Sequence, residues 1–302
     1  MSSRIDLKTS LQSNVDLSRY TTMHAVSTAA FFSEPTTVEE LKELLDFCQQ
    51  EKMPFMILGK GSNVIFSKPQ YSGLVISTLK LLKDDISFDE KTYQVRVTGA
   101  VPLYRFCLLC KDKGFAGAEF LASIPGSIGG AAFMNAGFSR IRGKKNEISD
   151  LIQEIEIFKI RENKVVTLKR SEIAYSYRKS GLSDCVVLSA VLQLAKGSPE
   201  AIDQEIKANF DYRAKEQDVK YPSSGSIFKN PVSGEFTAGQ IIDRLGLKGL
   251  RVGDAMVSTV HGNYMVNVGR ATGKDFIELI QKIQKAVLDE TGVSLQPEVV
   301  LA

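Results

Sequence analysis

Apolar residues recur along this chain at two different spacings, and changes in spacing divide the sequence into three parts. In the first part, residues 37–50 carry apolar positions three and four apart behind a Thr-x-x-Glu start, which predicts a capped helix. Apolar runs at residues 55–58 and 64–66 predict buried strands on either side of a turn. We therefore expect a small β-α-β domain over residues 1–70.

A strand-rich part follows over residues 71–197. Apolar runs predict strands at residues 74–76, 93–98, 154–160, 165–168 and 185–194. The Glu162-Asn163 pair predicts a hairpin between the third and fourth of them. Helical spacing at residues 101–113 predicts one helix in this domain.

The last part, residues 198–302, is predicted to be an α+β domain. Ser198-Pro199 combines a capping serine with proline at the first helical position. Thr237 caps a second helix that ends at Gly246, and residues 274–290 form an amphipathic third helix. With no low-complexity linker in the sequence, we expect the three domains to pack together.

Composition is that of an ordinary folded protein. The chain has 302 residues, of which 43% are apolar and 24% charged, and this favours two or three domains. A net charge of +3 is too small to indicate nucleic acid as a partner. The sequence shows neither a secretion signal nor a run of about 20 apolar residues, so we expect a cytoplasmic protein without a membrane partner.

The cysteines and histidines predict no metal site, because four cysteines and two histidines are spread along the chain. One pair, Cys107-Leu-Leu-Cys110, has the spacing of a redox dithiol. It lies inside the apolar run at residues 101–113, where a free cysteine behaves as a small hydrophobic residue. Packing in the core is the favoured interpretation.

A glycine-rich turn, Gly59-Lys60-Gly61-Ser62-Asn63, follows the first predicted strand. Glycines let backbone N–H groups converge on an anion, and the serine and asparagine add donors. The turn lacks the third glycine of a dinucleotide fingerprint and the lysine of a P-loop. A phosphate cradle and a tight structural turn are equally compatible with it.

A second small-residue segment runs from Ser123 to Gly137. It contains Pro125-Gly126-Ser127, Gly129-Gly130 and Asn135-Ala136-Gly137. Such a segment lets a flat ligand lie on the backbone, although glycines also permit two domains to pack closely. Two such segments in one chain favour a dinucleotide with a pyrophosphate end and a ring end.

Candidate catalytic groups lie on three further segments. Arg178, after Tyr177, offers a guanidinium that binds a carboxylate through two parallel bonds. Ser226 and Glu298 offer a hydroxyl and a carboxyl for proton transfer. Taken singly, such residues are most often ordinary surface residues. The basic run at residues 140–145 is interpreted as a solvated loop, with attraction of phosphates as the alternative.

Together and in this order, these segments resemble the UDP-N-acetylenolpyruvoylglucosamine reductases, the MurB family. The resemblance runs from about residue 21 to residue 298 and rests on the glycine-rich turn at 59–63, residues 124–137, Tyr177-Arg178, residues 225–231 and residues 261–267. It implies an α+β protein with a two-part FAD-binding domain of the vanillyl-alcohol-oxidase (PCMH) type and a C-terminal α+β substrate-binding domain. The short distance between Arg178 and Ser226 places the chain in the subclass without an extra tyrosine-bearing loop.

The resemblance implies FAD as cofactor and NADPH as reductant. The first glycine-rich turn would hold the pyrophosphate and the second segment the flavin side. The residues implied to bind the cofactor are Gly59, Lys60, Gly61, Ser62, Asn63, Pro125, Gly126, Ser127, Gly129, Gly130, Asn135, Ala136 and Gly137. Those implied to meet the substrate are Tyr177, Arg213, Gln217, Lys229 and Asn230.

The resemblance also implies reduction of UDP-N-acetylglucosamine enolpyruvate to UDP-N-acetylmuramate in peptidoglycan precursor synthesis. In such a reaction hydride reaches the vinyl methylene carbon, and Arg178 with Glu298 stabilises the anion that forms beside the substrate carboxylate. Ser226 then donates the closing proton. The expected partners are thus the UDP-sugar and NADPH, and a monomer is expected although the sequence leaves the oligomeric state open.

Two other functions stay open at this point. A related FAD oxidoreductase acting on a hydroxy acid or an alcohol would share the cofactor-binding part. The Ser226 motif and Glu298 disfavour it, because oxidation needs a base that activates the substrate rather than a hydroxyl that protonates a carbanion. A nucleotide-binding sensor without turnover is the second alternative, and a purified protein without flavin absorbance would favour it.

Overall fold

The fold is described from a computed structural model, which covers residues 11–82, 85–141, 146–231 and 235–302. The α-helices in these ranges are α1 (Val38–Gln50), α2 (Leu103–Lys113), α3 (Ile128–Met134), α4 (Pro199–Glu216), α5 (Ala238–Arg244) and α6 (Gly273–Thr291). The strands of the N-terminal half are β1 (Gln12–Asp16), β2 (Thr28–Ser33), β3 (Phe55–Leu58), β4 (Val64–Ile65), β5 (Gln70–Ser77), β6 (Ile86–Asp89), β7 (Gln94–Thr98) and β8 (Phe115–Ala116). Those of the C-terminal half are β9 (Ile152–Lys159), β10 (Lys164–Lys169), β11 (Cys185–Gln193), β12 (Ala195–Lys196), β13 (Ser223–Ser226), β14 (Arg251–Val252), β15 (Ala255–Val257), β16 (Tyr264–Asn267) and β17 (Val300–Leu301).

The chain divides into two compact units. The first contains Phe32–Lys60 and Leu74–Tyr212, and the second contains Gln12–Phe31, Gly61–Gly73 and Arg213–Ala302. The three domains expected over residues 1–70, 71–197 and 198–302 stay a prediction.

An antiparallel sheet with strand order β10-β9-β11-β7-β6 forms the centre of the first unit. The hairpin predicted at Glu162-Asn163 is confirmed, since β10 pairs with β9 from Lys164 opposite Lys159 and Asn163 adopts a left-handed φ of 50°. Helix α2 buries Cys107 and Cys110 in the same core, and Cys107 Sγ lies 3.2 Å from the Ala118 carbonyl oxygen. Burial raises the pKa of both thiols, so core packing is the correct interpretation of the pair.

The first unit also contains the parallel pair β3 and β5, which aligns Leu58 with Ser77. The helix predicted at residues 37–50 is confirmed as α1, and its cap is a variant of the expected one. Thr37 accepts the Glu40 N–H at 3.1 Å, but the Glu40 carboxylate reaches one residue further back and accepts the Thr36 N–H at 2.7 Å. The Ser198 cap of α4 is confirmed by its bond from the Ala201 N–H at 3.2 Å.

The second unit contains a sheet with strand order β13-β16-β15-β14 and helices α5 and α6. The predicted apolar face of α6 is confirmed, because Phe276, Ile280, Ile283 and Val287 are all buried. Thr272 and Asp275 form its capping box, so the helix begins one residue before the predicted start. The predicted cap of α5 at Thr237 is also present, with Gln240 as its partner.

Sequence patterning missed helix α3 and the short strands β1, β2, β6, β8 and β12 to β17. Helix α3 lies inside the second glycine-rich segment, where glycines give a weak helix signal, and most of the missed strands are too short to show alternation. Across the described residues, no helix combines the length and apolar character needed to cross a bilayer.

Candidate active site

The first glycine-rich turn depends on a close backbone approach at Gly61, in the second unit. Gly61 has a φ of 64°, and a Cβ there would lie 2.0 Å from the Tyr20 carbonyl oxygen, so only glycine fits. The Thr22 N–H donates to the Gly61 carbonyl oxygen at 3.1 Å. Among the described residues, the buried Thr22 hydroxyl has no partner and the N–H groups of Gly61 and Ser62 meet no protein acceptor. This half of the turn therefore keeps donors for an anion.

The second glycine-rich segment lies against backbone in the first unit. The Gly129 N–H donates to the Gly99 carbonyl oxygen at 2.9 Å. A Cβ on Gly129 would lie 3.2 Å from both the Gly99 Cα and the Val187 carbonyl oxygen. The glycine thus serves close packing inside this unit.

The start of helix α3 presents further donors in the same unit. The Ser127 hydroxyl accepts the Gly130 N–H at 3.4 Å and so caps the helix. The N–H groups of Gly126 and Ser127 donate to no acceptor in the part of the chain that the structure describes. A Cβ on Gly59 would lie 3.4 Å from the Ser127 hydroxyl oxygen, and the neighbouring Lys60 is exposed. Gly59 and the capping serine are therefore neighbours.

Buried hydroxyls without partners border these segments. In the first unit, the buried hydroxyls without a partner among the described residues include those of Ser77, Thr98 and Ser123. Ser77 is paired with Leu58 just before Gly59, Thr98 precedes Gly99, and Ser123 begins the second segment. A buried hydroxyl without a partner is unfavourable, so a polar ligand is a natural complement to these groups. The residues present therefore fit FAD.

The end of the second segment has a different role, because it holds Arg178. The Arg178 guanidinium donates to the Gly137 carbonyl oxygen at 2.9 Å and to the Asn135 carbonyl oxygen at 3.4 Å. The Ala136 carbonyl oxygen accepts from Ile148, and a Cβ on Gly137 would lie 2.3 Å from the Asn146 carbonyl oxygen. Asn135, Ala136 and Gly137 were predicted to bind the cofactor, and the structure shows them bonded within the protein.

Asn135 is fully buried and ends helix α3 with a left-handed φ of 48°. Its side-chain nitrogen donates to Glu147 Oε2 at 2.9 Å and to the Ser176 carbonyl oxygen at 3.0 Å. Its side-chain oxygen accepts the Ser149 N–H at 3.3 Å. These bonds use the whole amide, so its contribution is to fix the segment that carries Arg178.

Arg178 itself has a strained backbone. Ser176 and Lys179 exchange two backbone bonds, of 2.8 and 3.0 Å, and Arg178 lies at the third position of this turn with a φ of 55°. Glycine is the usual residue at such a position, and non-glycine residues there cluster at functional sites. The turn aims the guanidinium back at the segment that holds it, with the exposed Tyr177 ring 5.1 Å away.

In the second unit, Ser226 and Glu298 lie on neighbouring segments. Ser226 ends strand β13, after Gly225 with its φ of 72°. Phe228 pairs with Pro297, and the Glu298 N–H donates to the Ile227 carbonyl oxygen at 2.7 Å. Within the described residues, the Ser226 hydroxyl bonds to no protein group, so it remains available to a ligand.

Asn63 anchors the Glu298 segment. Its side-chain nitrogen donates to the Glu298 carbonyl oxygen at 3.0 Å, and its own carbonyl oxygen accepts the Val300 N–H at 2.9 Å. Strands β17 and β4 continue this contact as a parallel pair. Asn63 was predicted to bind the cofactor, and the structure gives it a direct bond to the segment of a predicted catalytic residue.

Known proteins match both the part of the chain with the glycine-rich segments and the part with Ser226 and Glu298. A family model described as an FAD binding domain matches residues 29–169, and one described as the C-terminal domain of UDP-N-acetylenolpyruvoylglucosamine reductase matches residues 217–302. A UDP-N-acetylenolpyruvoylglucosamine reductase of Syntrophus aciditrophicus is 37% identical over 286 residues, covering 94% of this chain and 89% of the relative. This chain belongs to the UDP-N-acetylenolpyruvoylglucosamine reductase family.

Other members of the reductase family agree in length and fold. The relative from Chlamydia muridarum is 36% identical, covering 96% of this chain and 94% of the relative. The crystal structure of the reductase from Thermus caldophilus matches with a TM-score of 0.79 at 32% identity, covering 97% of this chain and all of that chain. The resemblance seen in the sequence and the α+β fold class, with an FAD-binding domain first and the C-terminal reductase domain last, are confirmed.

The predicted substrate residues of this reductase lie mostly in the second unit. Arg213 and Gln217 are one turn apart at the end of α4, and the Arg213 Nε donates to Gln217 Oε1. The Lys229 N–H donates to Gln296, and the exposed Asn230 accepts the first N–H of α5 at 3.1 Å. Tyr177 lies in the first unit beside Arg178. Their contacts with substrate stay a prediction.

Tyr264 is a residue that the sequence analysis missed. It is buried on β16 directly opposite Ser226, and its ring packs edge-on against His261 with the ring centroids 4.8 Å apart. The motif at residues 261–267 contributed to the family resemblance but suggested no role. The available signal was alternation along that motif, which places every second side chain on the same face.

The basic run has one described ion pair. Arg140 binds Glu205, and the Arg140 Nε is buried without a partner among the described residues. Residues 142–145 lie outside the described part of the chain, so the solvated loop and the phosphate attraction stay predictions.

Proposed function

We propose that this reductase converts UDP-N-acetylglucosamine enolpyruvate to UDP-N-acetylmuramate in peptidoglycan precursor synthesis, with FAD as cofactor and NADPH as reductant. The observation that carries the proposal is the adjacency of Ser226 and Glu298 within the matched C-terminal domain of the reductase. A monomeric state and a cytoplasmic location are part of the proposal.

The cofactor would be held by the two sets of open donors. Gly61 and Ser62 offer N–H groups to phosphate, and Gly126 and Ser127 offer them at the start of α3. When bound, FAD supplies the hydride that the vinyl methylene carbon of the substrate accepts. The buried hydroxyls of Ser77, Thr98 and Ser123 provide the polar complement described above.

Arg178 as a cation, and Glu298 as a protonated acid that donates a hydrogen bond, are assigned to the negative charge that develops beside the substrate carboxylate. Arg178 is permanently cationic and is held by two carbonyl oxygens, so it needs little reorganisation to stabilise an anion. Glu298 is held through its backbone by Ile227 and Asn63. The Arg178 guanidinium and the Glu298 backbone are thereby held in place within their own segments before substrate binds.

Ser226 is assigned to the final proton. An alcohol is a weak acid, but the carbon next to the substrate carboxylate is a strong base after hydride addition, and fixed geometry makes the transfer effective. The Ser226 hydroxyl bonds to no described protein group, so its proton is not committed elsewhere. The alkoxide left behind regains a proton from solvent.

The direct test separates the two halves of the reaction under anaerobic conditions. The purified flavoprotein is reduced with NADPH, freed of excess reductant and mixed with UDP-N-acetylglucosamine enolpyruvate. Reoxidation of the flavin with formation of UDP-N-acetylmuramate is expected. Reoxidation by a 2-keto acid or an aldehyde, the products of the rival oxidoreductase, but not by the enol ether would support that alternative instead.

Replacement of Ser226 by alanine tests the proton donor. We expect flavin reduction by NADPH to be unchanged and the second half-reaction to slow by about 10² to 10⁴, the usual contribution of a general acid. Ser223→Ala, three residues earlier on β13, is the matched control and should keep both rates. An equal loss in both halves for Ser226→Ala would argue against the assigned role.

A further inference from the structure

Asn263 is a buried asparagine of the second unit whose side chain bonds to the backbone of a neighbouring segment. It is 4% exposed and lies one residue before strand β16. Its side-chain nitrogen donates to the Phe228 carbonyl oxygen at 2.8 Å, and its side-chain oxygen accepts the Phe228 N–H at 2.9 Å. The backbone carbonyl oxygen of Asn263 also accepts the Ile227 N–H at 2.9 Å. These bonds join Asn263 to the two residues that follow Ser226.

The asparagine replaces strand pairing at the point where the pairing ends. Strand β13 ends at Ser226, which pairs with Tyr264, so the next two residues lie beyond the ladder. Ile227 and Phe228 are 0% and 1% exposed, and their backbone groups therefore need partners inside the protein. A side-chain amide offers a donor and an acceptor side by side, as a peptide group does, so Asn263 satisfies both backbone groups of Phe228.

The same short segment also bonds to the segment of Glu298. The Glu298 N–H donates to the Ile227 carbonyl oxygen at 2.7 Å, while the Ile227 N–H donates to Asn263. Ile227 is thus held on one side by Asn263 and on the other by Glu298. A change in the Asn263 contact is therefore transmitted to both Ser226 and Glu298.

Strand β13 is irregular just before Ser226, and this makes an anchor behind it important. Ser223 pairs with Val266 and Ser226 with Tyr264, so three steps along β13 match two steps along β16. The irregularity is a β-bulge, and Gly225 within it has a φ of 72°. A bulge bends a strand and changes the direction of the side chains beside it. The direction of the Ser226 side chain thus depends on what holds the chain after the bulge.

Asn263 is itself held in place. His261 Nδ1 accepts the Asn263 backbone N–H at 3.1 Å. A Cβ on Gly262 would lie 2.5 Å from the Gly239 carbonyl oxygen, so residues 261–263 approach helix α5 as closely as only glycine permits. The Asn263 side chain therefore starts from a fixed backbone, and its amide can hold residues 227 and 228 in one place.

We propose that Asn263 is a positioning residue for the proton transfer. By bonding to Ile227 and Phe228, it fixes the direction in which strand β13 presents the Ser226 hydroxyl beside the segment of Glu298. It acts through the backbone and not on the reacting atoms, because its amide is committed to Phe228. The proposal rests on the proposed function, in which Ser226 donates the closing proton.

The test compares the two half-reactions of the full-length flavoprotein in Asn263→Ala, which loses both side-chain bonds to Phe228. We expect NADPH to reduce the flavin within about twofold of the wild-type rate. Reoxidation by UDP-N-acetylglucosamine enolpyruvate should slow roughly 10- to 100-fold, because a displacement of about 1 Å at a reacting group is enough for such a loss. An equal slowing of both half-reactions, or wild-type rates in both, would overturn the proposal.

Asn267→Ala is the matched control. Asn267 is a buried asparagine on β16, 3% exposed, and its side-chain nitrogen donates to the carbonyl oxygens of Met23 and His24 at 3.2 and 3.0 Å. The change removes at least as many buried bonds as Asn263→Ala, but none to the segment after Ser226. Reoxidation should stay within about twofold of the wild-type rate. A slowing equal to that of Asn263→Ala would assign the effect to general loss of structure and overturn the proposal.

A double-mutant cycle tests whether Asn263 acts through Ser226. In a Ser226→Ala background, Asn263→Ala should slow reoxidation by less than about a further twofold, since the group that it positions is absent. If the two losses multiply instead, the proposal is wrong. Should Asn263→Ala fail to fold, Asn263→Ser is the milder change at the same place, and a wild-type rate of reoxidation in that variant would refute the idea.

Hydrogen exchange at the Ile227 and Phe228 N–H groups measures the Asn263 contact without the reaction. Both should exchange faster in Asn263→Ala than in the wild type and at the wild-type rate in Asn267→Ala, and unchanged exchange in Asn263→Ala would overturn the proposal.

These outcomes are distinct from those of the proposed function. If the wild-type reduced enzyme is not reoxidised by the enol ether but exchange rises in Asn263→Ala, the reaction assignment fails and the hold of Asn263 on its neighbours stands. If the wild type is reoxidised and Asn263→Ala is reoxidised equally fast, the reaction stands and the positioning role fails.

Discussion

Replacing Asn135 by aspartate changes one side-chain atom at a fully buried position, and the structure indicates a large effect. The Asn135 nitrogen donates to Glu147 Oε2 at 2.9 Å and to the Ser176 carbonyl oxygen at 3.0 Å. Aspartate keeps the shape and the oxygen that accepts from Ser149, but it loses both donated bonds. Its charge would also face the Glu147 carboxylate in a place with no solvent contact.

The magnitude follows from these contacts. Each lost bond is worth about 1 kcal/mol, and an uncompensated buried charge brings the total to about 3 to 5 kcal/mol near neutral pH. In a unit of this size that corresponds to a fall in Tm on the order of 10 °C. The neighbouring Glu147 and burial raise the pKa of the new carboxyl in the folded state above its unfolded value of about 3.9. The deficit should therefore be smallest below that value and grow as pH rises through the folded pKa.

Thermal unfolding of the Asn135→Asp variant at about pH 5 and about pH 8 measures how its loss of stability depends on pH. The rates of the two half-reactions measure the effect of the change on Arg178. The matched control is Asn163→Asp, since Asn163 is also an asparagine with positive φ whose amide meets a carboxylate, that of Asp46, at 3.3 Å. That site is exposed, so a change below about 0.5 kcal/mol is expected. If Asn135→Asp behaves like Asn163→Asp, the account of Asn135 as the anchor of the Arg178 segment is wrong.

Two further predictions concern the glycines of α3 and the histidine beside Tyr264. Gly129→Ala should lower the free energy of unfolding by about 1 to 3 kcal/mol, because its Cβ would lie 3.2 Å from backbone atoms. Gly130→Ala, whose Cβ would lie 3.5 Å from the Ser127 hydroxyl oxygen, should leave it nearly unchanged. Chemical denaturation measures both. Burial, with the Lys248 charge, lowers the pKa of His261, so its stabilising effect should be complete above about pH 6.5 and be lost as pH falls through the folded pKa. His261→Gln should flatten the dependence of Tm on pH in that range. If Tm varies with pH as steeply as in the wild type, the pH dependence does not come from His261.

Sequence patterning predicted the long elements because their signals are local. Helix α1 and helix α6 carry both a cap and an apolar face, and strands β9 and β10 are joined by a turn residue that tolerates positive φ. The roles predicted for Arg178, Ser226 and Glu298 came from the family resemblance, because local pattern alone leaves each of them an ordinary residue. Their surroundings were not predictable, since nothing near Ser226 in the sequence indicates that Tyr264 lies opposite it.

The two asparagines show contacts that the sequence analysis did not predict, while their contact with the cofactor stays a prediction. Asn63 and Asn135 each lie in a glycine-rich stretch, where an amide is naturally interpreted as a ligand for the cofactor. In the structure Asn63 bonds to the segment of Glu298, 235 positions later, and Asn135 bonds to the segment of Arg178. Contacts at such separations are created only by the fold, because no local spacing encodes them. Each glycine-rich stretch therefore has open N–H donors at one end and an anchor for a predicted catalytic residue at the other. Substitutions in either stretch are thus expected to change both cofactor binding and the geometry of the catalytic residues.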